Sequence, residues 1–256
     1  MINTVAITLL FGLTLSMWRL CYPHSYWAIV AIIPLWTIVF AGTYQNSLEK
    51  HRALMLATLR TTSKPMLLFN GRVTSALSAF FISSASVSVV VLSSQFSTVT
   101  QLLAILFLTA ASVLMHSASR KLLHLSVQPL ALSWVSASAA IILTTSVFII
   151  PFAVFEWTLV ERPGYIRLSF DEAMSASLAQ LPRRNDALNE AVSIFQVIAA
   201  TKLWLASRFT GTAIPGVLYA VQSALICTAI TASAVGASSL YQRHMSKESF
   251  NIPERK

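Results

Sequence analysis

Apolar residues in this chain gather in long runs that do not alternate with polar ones, and short basic segments separate the runs. A run of roughly 18 or more apolar residues is long enough to cross a bilayer core as a helix. Membrane strands would read as shorter, alternating segments. The runs predict transmembrane helices over residues 2–18, 26–43, 73–92, 99–118, 130–155 and 211–240. The expected fold class is all-α: a polytopic transmembrane helical bundle of about six spans, N-in and C-in, with amphipathic surface helices.

Small residues recur at helical spacing inside these runs. In the last one, Ala220, Ala224, Thr228, Ala232 and Gly236 fall every fourth position, with Ser223, Cys227 and Thr231 beside them. The first run carries Thr4, Thr8, Gly12 and Ser16, the third Ser75, Ala79 and Ser83, and the fifth Ser136, Ala140 and Thr144. Residues four apart share a helix face, and small ones let two backbones approach in lipid. Thr8, Gly12, Ala220, Ala224, Thr228, Ala232 and Gly236 are the predicted helix-packing residues. The last helix is expected to tilt or project, since about 28 residues reach roughly 42 Å against a core of about 30 Å. Pro34, in the middle of the second run, is expected to kink its helix.

The polar segments organise the rest. Residues 1–155 read as a five-helix membrane region containing a basic cytoplasmic connector, 44–72. That connector carries Lys50, Arg52, Arg60, Lys64 and Arg72 against a single acid, Glu49. Asn46 with Glu49 resembles a capping box, which predicts a surface amphipathic helix starting near Ser47. Residues 156–210 read as an extracytoplasmic helical hairpin, started by a Ser169–Glu172 capping box and by a cap at Asn185 or Asp186. Leu188, Val192, Phe195, Ala199 and Leu203 form the apolar stripe expected on its second helix. Residues 211–256 hold the final helix and a basic cytoplasmic tail.

Composition agrees with this class: 55% of residues are hydrophobic and 11% charged, with a mean hydropathy of +0.69. The net charge is +9. Most of its basic residues lie in connectors that an N-in arrangement places inside, as the positive-inside rule requires. The partners this implies are a bilayer with an anionic inner leaflet and other membrane protein subunits, with no nucleic acid. The cell inner (cytoplasmic) membrane is the expected location, with an organellar membrane as the alternative. Trp18, Tyr22, Tyr26, Trp27, Trp157 and Trp204 are expected to form an outer aromatic belt, and Tyr44, Trp134 and Tyr241 an inner one.

Candidate chemistry is sparse. The spans hold no Asp, Glu, Lys or Arg away from their ends, and their one ionisable candidate, His116, reads as interfacial. Asp171 and Glu172 suit a helix N-terminus rather than an acid/base pair. His24 beside Cys21 supplies too few ligands for a metal. No catalytic, metal or cofactor-binding residue is predicted, and no cofactor. The expectation is a non-catalytic multi-pass membrane subunit, a scaffold or anchor of a secretion, conjugation or energy-converting assembly. The alternative is a channel or uncoupled transporter with a Ser/Thr-lined path.

Overall fold

Backbone groups in a bilayer must find partners within their own segment, and each apolar run does so by coiling into a helix. The computed structural model describes residues 2–58, 71–95, 97–159, 164–209 and 211–250. Its helices are α1 (Ile2–Cys21), α2 (Ile33–Thr58), α3 (Arg72–Gln95), α4 (Val99–Leu123), α5 (Pro129–Leu159), α6 (Phe170–Leu178), α7 (Ala187–Arg208) and α8 (Ile214–Phe250). Two short 3-10 segments, Tyr26–Ile32 and Gly164–Arg167, precede α2 and α6. Among the described residues there is no strand, and six helices are long and apolar enough to cross a membrane: α1 to α5 and α8. The protein is therefore a membrane-embedded all-α bundle. Six crossings put both ends of the chain at one face, here called the terminal face. The α6–α7 hairpin lies at the other, the hairpin face.

Helix α8 is the axis of this bundle. It packs against α2, α3, α4 and α5. Ser223, Cys227, Ile230, Thr231, Ala234 and Ser238 are all fully buried on it. The closest approach is to α2, where a Cβ added to Gly42 would lie 1.8 Å from the Gly236 carbonyl oxygen. Only two glycines permit that backbone contact. Helices α1 to α5 and α8, separate in chain order, thus share one core.

Several local expectations change. The second run from Ile33 and the connector as far as Thr58 are one continuous helix, α2, and no new helix begins near Ser47. Asn46 does not cap it: its side chain is used between helices instead, as described below. Pro34 is the second residue of α2, in the first turn, where no intrahelical N–H bond is lost and the fixed φ suits the helix. The residues before it wind as the 3-10 segment, its start capped by Ser25.

The packing faces of α1 and α8 also lie beside the predicted stripes. On α1 the fully buried row is Phe11, Leu15 and Trp18, continuing to Tyr22; Thr8 and Gly12 are half-buried and Ser16 is exposed. Large side chains fill the wider gap there, where helices do not touch backbone to backbone. On α8, Gly236 is buried, Ala220, Ala224 and Ala232 are half-buried, and Thr228 is exposed. The rows predicted on α3 (Ser75, Ala79, Ser83) and α5 (Ser136, Ala140, Thr144) are buried.

Candidate functional site

The polar atoms of the bundle collect in two layers, one towards each face. In the layer at the terminal face, Asn46 on α2 donates to Ser239 Oγ on α8 at 2.9 Å and accepts from Ser133 Oγ on α5 at 2.7 Å. One amide thereby ties three helices. Beside it, His116 Nδ1 on α4 lies 3.1 Å from Ser238 Oγ, and Arg120 donates to Gln242 Oε1 at 2.8 Å. Gln242 in turn donates to Ser117 Oγ at 3.2 Å. His116 is only 1% exposed, so it faces the bundle interior. The α4 helix runs on to Leu123, a full turn past the predicted end, and draws His116 inside.

The layer at the hairpin face is charged. Glu156, near the end of α5, is buried and accepts from Gln101 Nε2 on α4 at 3.3 Å. Lys202 on α7 lies 3.5 Å from the second Glu156 oxygen, and its ammonium stands 4.3 Å from the centre of the Tyr219 ring on α8. Burial lowers the pKa of Lys202, while Glu156 acts to raise it. Glu156 and Lys202 both fall within the predicted 156–210 hairpin, and nothing in their spacing pairs them. The continuation of α5 to Leu159 and the crossing of α7 over the bundle end bring them together.

At its other end α7 is held by a second cluster. Asp186 caps the helix, its carboxylate accepting from the Asn189 N–H at 2.8 Å. Hydrogen bonds to that carboxylate, the one from Asn189 first, lower its pKa. Arg184 donates from Nε to Asp186 at 2.7 Å and from Nη1 to the Tyr22 carbonyl, and it stacks on the Tyr22 ring at 5.4 Å. The Tyr22 hydroxyl donates to Asn189 Oδ1 at 2.8 Å. Burial raises the Tyr22 pKa, with Arg184 opposing, so the phenol remains a donor.

Helix α7 is thus a crossbar fastened at Tyr22, where α1 ends, and at Glu156, where α5 ends. From Asn189 to Lys202 it covers about 20 Å of helix. It is apolar on both faces. Gln196 and Val192 are buried, whereas Ile194 and Ile198 are 62% and 60% exposed. Val192 of the predicted stripe is buried, and beyond it the buried face passes through Gln196 and Ala200, one position on from Phe195 and Ala199. Helix α6 caps the arrangement, started by the Ser169–Glu172 capping box. Phe170 packs edge-on to Trp204, whose indole donates to the Leu168 carbonyl at 3.2 Å.

Of the aromatics expected in the outer belt, Trp18 and Tyr22 are fully buried in the core, while Tyr26 and Trp27 are exposed. Of the predicted membrane-surface residues, Lys50, Arg52 and Arg72 are exposed at the terminal face. Lys50 stands 5.9 Å from the Trp134 ring. Arg60 and Lys64 lie outside the described residues.

Between the layers, hydroxyls are spent on backbone and on one another. Thr109 and Ser112 donate to carbonyls one turn back in α4, at 2.9 and 2.7 Å, and Ser112 also bonds Thr231 Oγ1 of α8 at 3.2 Å. Ser83, Ser86 and Ser94 likewise donate to carbonyls of their own helix, α3. Thr144, Ser223 and Ser233 are buried and have no partner. No protein-family model, curated protein or solved structure matches this chain.

Proposed function

We propose that this protein is a non-catalytic multi-pass subunit, a scaffold or anchor within a larger assembly of the cell inner membrane. The observation that carries this reading is the filling of the bundle axis by α8, in backbone contact with α2 at Gly42 and Gly236. A solute path needs a wet axis. An axis filled by a helix suits a rigid mount.

Two further features support it. Helix α8 has 37 residues, about 55 Å at 1.5 Å per residue, and outreaches a hydrocarbon core of about 30 Å. Its excess beyond Gln242 would project at the terminal face, where a partner subunit would dock. Lys50, Arg52 and Arg72 are exposed at that face and would meet anionic head groups or an acidic partner. The positive-inside rule makes it the cytoplasmic side.

A second reading is a channel or uncoupled transporter. The unpartnered hydroxyls of Thr144, Ser223 and Ser233 favour it, since buried hydroxyls without partners invite water. Reconstitution into liposomes tests the choice. A scaffold leaves ion and small-solute flux at the level of empty vesicles; a flux that Ser223→Val or Thr144→Val abolishes overturns it.

A further inference from the structure

The chain enters and leaves the α6–α7 hairpin at the same end. Phe170 at the start of α6 packs on Trp204 near the end of α7, and Thr201 donates to Met174 Sδ at 3.5 Å, so the two helices run antiparallel. The Leu168 carbonyl accepts from Trp204 and, at 3.1 Å, from Arg208, which ties the base of the hairpin into one piece. The turn between the helices, residues 179–186, stands at the far end, beside Tyr22. Both chain connections carry a glycine at the base. Gly211 has a φ of +95°, which side chains rarely adopt, and a Cβ on Gly211 or Gly164 would meet nothing within 4 Å. The Glu156–Lys202 pair sits at this end too, against Tyr219.

The tip is held differently. Its polar contacts with the bundle converge on Tyr22: Asn189 accepts from the hydroxyl, and Arg184 donates to the carbonyl and stacks on the ring. Asp186 aims Arg184, and Asn189 donates to the Arg184 carbonyl at 2.8 Å. The apolar residues fully covered on α7, Val192, Ala200 and Ala206, are small, so burial alone holds it weakly. Beneath the tip half lies a cavity of about 320 Å³, with Leu188 and Ala191 of α7 over Ile32, Val87 and Val91.

We propose that the α6–α7 hairpin is a flap: it turns as one body about its base at Gly164 and Gly211, is clasped shut at Tyr22, and uncovers the cavity at the hairpin face when it opens. The contacts between α6 and α7 make the body rigid. About 20 Å of helix between Asn189 and Lys202 gives it a lever. The clasp is also the wetter of its two fastenings. The Asp186 side chain is 28% exposed, against 9% for Glu156, so water can replace the contacts at the tip before those at the base. A lid needs this arrangement, with a dry pivot, an exchangeable catch and a space beneath the moving end.

The test uses the full chain in nanodiscs, with Cys21→Ser and Cys227→Ala removing the native thiols. One thiol is placed on the covered face of α7, by Val192→Cys under the tip half or Ala200→Cys beside the pivot, and its reaction with a membrane-impermeant maleimide is timed. These residues are 0% and 1% exposed, so reaction reports opening. Tyr22→Phe removes one neutral hydrogen bond and should speed the Val192→Cys reaction about five-fold; Arg184→Ala removes charged contacts and should speed it about ten-fold or more. The Ala200→Cys rate should hold in both. Equal acceleration at the two thiols overturns the flap, because the hairpin then detaches whole, and no acceleration at either overturns the clasp. Spin labels at exposed sites give a second reading that leaves the covered face intact. Measured from Thr100→Cys on α4, the distance to Arg183→Cys at the tip should gain a longer population in Arg184→Ala, while the distance to Ile198→Cys near the pivot should not. An unchanged tip distance, or an equal shift near the pivot, overturns the proposal.

Discussion

Gly42 and Gly236 meet backbone to backbone: a Cβ on Gly42 would fall 1.8 Å from the Gly236 carbonyl oxygen, with nothing flexible to give way. The relation is not symmetric. A Cβ on Gly236 would meet Thr43 Oγ1 at 2.9 Å and the Val39 carbonyl oxygen at 3.2 Å. Small shifts relieve the second case, whereas the first requires α2 and α8 to separate. Gly42→Ala should therefore destabilise the protein by about 3 kcal/mol and Gly236→Ala by about 1 kcal/mol, the two ends of the overpacking range. Unfolding by SDS titration in mixed micelles reads both, and equal effects would contradict this geometry.

The buried row of α8 makes a second, opposed pair of predictions. Cys227 is fully buried and Thr228 exposed. Cys227→Leu should lose roughly 1–3 kcal/mol by overpacking, while Thr228→Leu should stay within about 0.5 kcal/mol of the parent. The same titration, or accumulation in membranes, separates them.

These two residues also mark what was legible in the sequence. Run length and the scarcity of charge identify a helical membrane bundle, because the bilayer leaves a chain few alternatives. Spacing of four finds candidate faces but not which of two adjacent rows points inward, since Thr228 and Cys227 sit on neighbouring rows of equally small residues. Gly42, the partner of Gly236, has no small-residue row around it and carries no signal. Glu156 and Lys202 are 46 positions apart, and only the docking of α7 joins them. Asn46 is polar and lies in the basic connector, so a cap is its natural reading; its two interhelical bonds depend on where α5 and α8 lie.

Asn46 should hold the layer at the terminal face together. Interhelical hydrogen bonds in membranes average about 0.6 kcal/mol, so Asn46→Ala should lose roughly 1 kcal/mol across its two bonds. A double-mutant cycle of Asn46→Ala with Ser239→Ala should give a coupling near 0.6 kcal/mol, and no coupling would deny the contact.

The Glu156–Lys202 pair fastens one end of the crossbar. Lys202→Met strands a buried carboxylate and should loosen α7 by roughly 3 kcal/mol, whereas Glu156→Leu combined with Lys202→Met should recover most of that loss. Hydrogen exchange over residues 187–208 reports it. A double variant as loose as the single one would argue that the pair is not buried.

Acid should release the other end. The pKa of Asp186 is lowered below its ordinary 3.8 by its hydrogen bonds. A depressed carboxylate contributes stability that is complete above the unfolded value and lost as pH falls through the folded one. Exchange protection over residues 184–192 should thus hold down to about pH 4 and fall below it. Asp186→Asn keeps a capping side chain and should remove this pH dependence.

The central claim, that this bundle is a mount for other chains, is tested most directly by native mass spectrometry of the protein released from its own membrane in mild detergent or nanodiscs. Stoichiometric, different protein subunits are expected, lost when the part of α8 beyond Gln242 is truncated. A clean monomer or homo-oligomer, unaffected by that truncation, would contradict it.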